Sequence, residues 1–206
     1  TVTSGSNTQD TADFISNYCE SAGFKVEQYP YQNQRLEKIN LIARKGGQES
    51  ELALSGHMDT VRFDPSQWHS DPTTLTLKGD QYFGMGVADM KLYLAIAMKA
   101  GAQISTSELK KPFALCFTSD EEVGCLGVRK LMREDVFVSR SIVIGEPTEW
   151  VPIHLHKGYI YASVELKGKR GHSSDPRQGK SVVDLALVQV LNRLAEFNRR
   201  LESIVD

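Results

Sequence analysis

Four short segments of the chain carry residue types that bind cations and move protons. They are Gly56-His57-Met58-Asp59, Asp89 just after the loop Gly84-Met85-Gly86, Asp120-Glu121-Glu122, and Glu146 between Gly145 and Pro147. His57 and Asp59 are two residues apart. In extended chain such residues point the same way, so Asp59 can take a hydrogen bond from one imidazole nitrogen while the other faces a metal. Taken alone, the pair equally describes a histidine in a surface turn. Glu121 and Glu122 are adjacent, and two carboxylates there cost desolvation and repulsion unless a cation or a bound proton offsets them. Adjacent side chains diverge, so one can bind metal while the other addresses a water; the alternative is a solvated acidic turn. Glu146 alone is equally an exposed loop acid, and Asp89 equally an N-cap for the helix after it. Jointly, one imidazole and three carboxylates match the nitrogen-plus-oxygen donor set that suits zinc, cobalt or manganese.

An alternation of strands and helices must position these groups. Apolar residues at Ala12, Ile15, Tyr18, Cys19 and Ala22 predict a helix over 8–22, ended by Gly23. Strand-like runs follow at 25–31, 39–44, 51–55, 113–118 and 141–145, with a short helix at 124–132. Residues 92–98 are apolar almost all round, which predicts a buried helix. The alternation argues for an α/β domain with a mostly parallel mixed sheet flanked by helices. The acidic and imidazole residues lie just beyond strands 51–55, 113–118 and 141–145, where parallel sheets bind their ligands. Gly84-Met85-Gly86 lacks the continuation of a dinucleotide-binding turn.

The chain has 206 residues, 40% hydrophobic and 24% charged, enough for one core and part of a second. A net charge of −2 with scattered Lys and Arg shows no basic stripe, which argues against nucleic acid. No apolar run approaches the roughly 20 residues that span a bilayer, which argues against a membrane partner. The polar start at Thr1 shows no charged-then-apolar leader, and three cysteines without a paired spacing suit the cytoplasm. Character changes after Pro152. Residues 159–167 alternate as a half-buried strand, and an amphipathic helix is predicted from 181 to about 204, with Val183, Leu187, Val190, Leu191, Leu194 and Phe197 on one stripe. One strand and one helix make no stable layer, so a first domain over 1–155 and the start of a second over 156–206 are expected, leaving the helix stripe uncovered.

Read in order, Ser55-Gly56-His57-Met58-Asp59-Thr60-Val61, Gly84-Met85-Gly86-Val87-Ala88-Asp89-Met90-Lys91, Asp120-Glu121-Glu122 and Ile144-Gly145-Glu146-Pro147-Thr148 resemble the acetylornithine deacetylase, succinyl-diaminopimelate desuccinylase and carboxypeptidase family of two-zinc amidohydrolases. The resemblance covers nearly the whole chain. It implies a zinc-exopeptidase-like catalytic domain followed by a small α+β lid or dimerisation domain. It implies two zinc ions, with cobalt able to substitute: Asp89 bridging, His57 and Glu146 on one metal, Glu122 on the other. Glu121 would be the general base and Asp59 would orient His57. The Asp89–Met90 peptide would be cis, and His172 would reach across a homodimer to stabilise an oxyanion. Leu92 departs from the glycine common in relatives, at a position that touches helix packing. The family's last metal ligand, a histidine late in a longer chain, matches none of His69, His154, His156 or His172, so this chain alone is expected to be a poor catalyst.

Within the family, Gly145-Glu146-Pro147 points to the deacetylase and desuccinylase branch. Trp68-His69-Ser70-Asp71-Pro72, His156-Lys157-Gly158 and Gly171-His172-Ser173-Ser174-Asp175-Pro176 are similar to the acetylornithine-cleaving members. The implied reaction is hydrolysis of N2-acetyl-L-ornithine to L-ornithine and acetate, a step of arginine biosynthesis on a small N-acyl amino acid. Succinyl-diaminopimelate or dipeptide cleavage is the alternative within the family. A non-catalytic binding module is the alternative outside it, and the presence of both Glu121 and Glu122 argues against that.

Overall fold

The computed structural model describes residues 3, 5–137, 139–156, 158 and 161–203. They divide into two compact units, Thr1–Ile153 and His154–Asp206. In the first, helix α1 (Gln9–Ser21) precedes strands β1 (Lys25–Asn33), β2 (Leu36–Lys45) and β3 (Ser50–His57). A hairpin of β4 (Thr76–Lys78) and β5 (Gln81–Phe83) leads to α2 (Leu92–Gln103), β6 (Phe113–Thr118), α3 (Leu126–Glu134) and β7 (Ser139–Ile144).

Five strands form one mixed sheet in the order β1-β2-β6-β3-β7. β1 and β2 pair antiparallel, as do β2 and β6, while β3 runs parallel to both β6 and β7. The register aligns His57 with Thr118 and Leu54 with Val143, so the chain leaves β3, β6 and β7 on the same side of the sheet. This is the arrangement expected of an α/β fold with helices against its sheet.

The strand at the centre shows why the sheet forms here. β6 (Phe-Ala-Leu-Cys-Phe-Thr) is buried along its whole length, which requires apolar residues on both faces. Ile15, Phe24, Leu41, Met58, Leu94, Met98, Leu115 and Phe117 make one core between helices and sheet. Ile42, Cys116 and Leu131 make a smaller one under α3. Polar contacts tie the helices down. The Thr8 hydroxyl accepts from the Ile39 amide at 2.7 Å, anchoring the start of α1 on β2. The Lys45 ammonium donates to the carbonyls of Gly101 and Ile104 at the end of α2, where a cation also complements the helix dipole. Cys19, Cys116 and Cys125 are all free thiols.

Two expectations need correction. α2 is buried on one face only: Leu94, Ala97, Met98 and Gly101 enter the core, while Leu92 and Ile96 are exposed. An all-apolar sequence permits burial on every side, but no described element covers its outer face. The strand expected over 159–167 is not present at 161–167, because no neighbouring strand pairs with those residues; 159 and 160 lie outside the described residues.

The second unit instead holds two bridged pairs, Lys169 with Lys180 and His172 with Asp175, then a wide turn at Val183–Leu187 and helix α4 (Val188–Glu202). Val183, Leu191, Leu194 and Phe197 are exposed along that segment, whereas Leu187 and Val190 are half-buried. No described helix is long and apolar enough to cross a membrane.

Candidate metal centre

β3 delivers His57 to the end of the sheet, and the Met58 amide donates to the Thr118 carbonyl at 2.8 Å, holding that end against β6. The imidazole is almost fully buried. Its Nδ1 lies 2.9 Å from the backbone carbonyl of Asp59, an acceptor only, so Nδ1 carries a proton and Nε2 is the nitrogen turned toward the carboxylates and available to a metal. The carboxylate of Asp59 is not the partner inferred from the i, i+2 spacing; its Oδ1 is 3.7 Å from Nδ1. The chain turns after His57, and the carboxylate instead accepts the amides of Glu121 at 3.1 Å and Glu122 at 3.2 Å. One aspartate thus aligns the imidazole with its backbone and holds the two glutamates with its side chain.

Asp89 lies where the chain kinks between the β4–β5 hairpin and α2. Its peptide to Met90 is cis, as the resemblance implied. The turn before it needs glycine at 86: φ is +73°, and a Cβ there would stand 2.4 Å from Thr60 Cγ2. Asp89 Oδ1 comes to 3.0 Å from His57 Nε2, Glu146 Oε1 to 3.8 Å and Glu121 Oε2 to 4.0 Å. His57, Asp89 and Glu146 each offer a ligand atom within 4.8 Å of the others. One imidazole nitrogen and two carboxylate oxygens at that separation fit a zinc-type divalent cation.

Glu122 stands outside that group of three but near enough to feel it. Burial, and then the charges of Asp89, Glu121 and Asp59, raise its carboxyl pKa. Glu146 is raised by burial and by the neighbouring carboxylates, with His57 partly offsetting them. Burial opposes the His57 imidazolium, but Asp59, Glu146 and Asp89 outweigh it and shift the pKa upward. Crowded carboxylates of this kind are relieved by a cation. The Lys91 ammonium is also buried here without a hydrogen-bond partner, and burial lowers its pKa to about 8 against the pull of Asp59, Asp89 and Glu122.

Several contributors escaped the sequence reading. Lys38 and Asp120 form a fully buried ion pair, and Tyr31 and Asn33 also donate to Asp120. Asn40 accepts the Ser119 amide and donates to the Gly127 carbonyl. Cys125 donates its thiol hydrogen to Glu121 Oε1 at 3.4 Å. The available signal was Lys38 and Asn40 alternating with Ile39 and Leu41 at the entry of an apolar strand, where side chains that enter the interior need partners.

His172, in the second unit, is exposed. Its Nδ1 accepts the Ser174 amide at 3.2 Å, which places the proton of a neutral ring on Nε2. His69 and His154 are also exposed.

Residues 53–200 match the model of peptidase family M20/M25/M40. The chain belongs to that family. Among its M20/M25/M40 relatives, the acetylornithine deacetylase of Pasteurella multocida is 39% identical over 173 residues, covering 84% of this chain and 45% of that protein. The acetylornithine deacetylase of Proteus mirabilis is 36% identical over 191 residues, 93% of this chain and 49% of that protein. The chain therefore spans about half the length of the curated relatives it matches. A crystal structure of a tripeptidase from Staphylococcus aureus shares the fold, with a TM-score of 0.60 at 18% identity over 94% of this chain and 52% of that one.

Proposed function

We propose that the protein is a metal-dependent amide hydrolase that removes the acetyl group of N2-acetyl-L-ornithine, giving L-ornithine and acetate. The observation that carries the reading is the convergence of His57, Asp89 and Glu146 within 4.8 Å, with Glu121 beside them. The names of the curated relatives support the acetylated substrate, and a cytoplasmic role in arginine biosynthesis is part of the same proposal.

His57, Asp89 and Glu146 would hold one zinc ion, and Asp89 with Glu122 would hold a second; cobalt would serve in place of zinc. Such ions, when bound, polarise the acyl oxygen and lower the pKa of a water molecule. The protein's own groups do the rest. Asp59 fixes the tautomer of His57 through its carbonyl and the position of Glu121 and Glu122 through its carboxylate. Glu121, partly open to solvent, takes the proton from the attacking water and returns it to the leaving nitrogen. His172, exposed and with its Nδ1 occupied by the Ser174 amide, would donate from Nε2 to the developing oxyanion in the site of a second subunit of a homodimer.

The test is hydrolysis by the full-length protein loaded with zinc or cobalt. Acetylornithine should be cleaved with the highest kcat/KM. Preference for succinyl-diaminopimelate or a dipeptide would transfer the specificity within the family, and metal binding without hydrolysis would identify a binding module.

A further inference from the structure

The two glutamates leave β6 through Ser119 and Asp120, and Asp120 is held unlike any other carboxylate described in the chain. Its side chain and that of Lys38 are both 0% exposed, with Nζ and Oδ1 2.8 Å apart. Its other oxygen accepts from Asn33 at 2.8 Å and from the Tyr31 hydroxyl at 3.2 Å. Tyr31 and Lys38 are direct cross-strand partners of β1 and β2, so one register pair grips the aspartate from two sides. The backbone of Asp120 is left-handed at φ +57°, a conformation disfavoured for residues with a Cβ. Glu121 follows immediately, and the Leu126 amide closes the turn onto the Asp120 carbonyl at 3.0 Å.

Stability alone is a weak reason for such a pair. Burying two charges costs several kcal/mol each, and well-packed apolar residues usually do as well. What apolar residues would not do is hold one carboxylate, through three directed contacts, in a left-handed turn directly before Glu121. We propose that Lys38 is a positioning residue for Glu121, acting through its buried ion pair with Asp120. Lys38 touches neither metal nor substrate. It fixes the turn from which the base is presented. The assignment rests on Glu121 being the base of the proposed reaction.

Cys125 supplies a readout that needs no turnover. Its thiol contacts Glu121 and is partly exposed, whereas Cys19 and Cys116 are buried. In the full-length protein, Lys38→Met should raise the rate at which Cys125 reacts with a chromogenic disulfide reagent by roughly tenfold, because opening of the turn sets access. The kcat of the zinc-loaded enzyme should fall roughly tenfold to a hundredfold, the scale of a misplaced catalytic group, with KM and metal content little changed. Lys38→Met alone leaves a buried carboxylate without its counter-charge, so Lys38→Met/Asp120→Asn, which removes both charges, is measured beside it.

The proposal holds if that double variant melts near the parent yet keeps fast thiol labelling and low kcat. Parental labelling and parental kcat in a folded double variant overturn it, because the pair then serves only stability. Failure of both variants to fold also overturns it, making the pair a folding element. Lys25→Met, a surface control on β1, should change neither readout. If the protein hydrolyses no amide at all, the thiol arm still decides whether Lys38 holds the turn, so failure of the functional reading is recognised separately.

Discussion

Glu121 and Glu122 are neighbours in sequence with different surroundings. Both amides are held by Asp59, yet Glu121 points its carboxylate toward His57 Nε2 and the Cys125 thiol, while the carboxyl pKa of Glu122 is raised by burial and by Asp89. In the full-length enzyme, Glu121→Gln is expected to lower kcat by roughly a hundredfold or more, the scale of a lost general base, with zinc content unchanged. Glu122→Gln is expected instead to weaken zinc binding in a titration. The opposite pattern would exchange the two roles. These acids and His57 were legible in the sequence because they stand at a strand end or just past one. The part played by Asp59 was half legible: its link to His57 followed from spacing, but the use of carbonyl rather than carboxylate depends on a turn that spacing does not record. Lys38 gave only the weak signal of alternating with Ile39 and Leu41, because a lysine in a strand reads as surface until its partner, 82 positions further along at Asp120, is brought beside it.

At the scale of elements, α3 shows how closely a helix must approach to close the site. A Cβ on Gly127 would lie 2.2 Å from the Ser119 carbonyl oxygen and 2.4 Å from Asn40 Oδ1. Gly127→Ala must push the helix away from the turn that carries both glutamates. A loss of about 2 kcal/mol is expected in denaturant unfolding, within the usual range for overpacking. An unchanged midpoint would mean that α3 slides without cost. The principal strands and helices of the first unit were legible because their apolar periods are clean, with ends shifted by a few residues. The β4–β5 hairpin was not, since its three-residue strands are too short to show a period. The strand expected over 159–167 had the right period, yet a strand exists only against a neighbour, and at 161–167 none of the described residues supplies one.

For the whole molecule, the exposed apolar positions on the segment carrying α4 and the exposure of His172 support the proposed homodimer in which each subunit lends a histidine to the other. Mixing full-length His172→Ala subunits with full-length Glu121→Ala subunits should then restore activity, because one site of each hybrid holds both intact residues. If subunit exchange is demonstrated and nothing is restored, His172 works within its own chain or not at all. A different consequence follows from β7, which ends the sheet. Only β3 pairs with it among the described residues, and Ile142, Val143 and Ile144 are exposed, with the Tyr93 hydroxyl donating to the Val143 carbonyl. Such a border is a template on which an identical chain can lay its own strand. This polypeptide handled by itself should therefore cloud and grow into larger particles as its concentration rises, with static light scattering as the measure. Val143→Lys, which puts a charge on that border, should delay the onset without altering the fold.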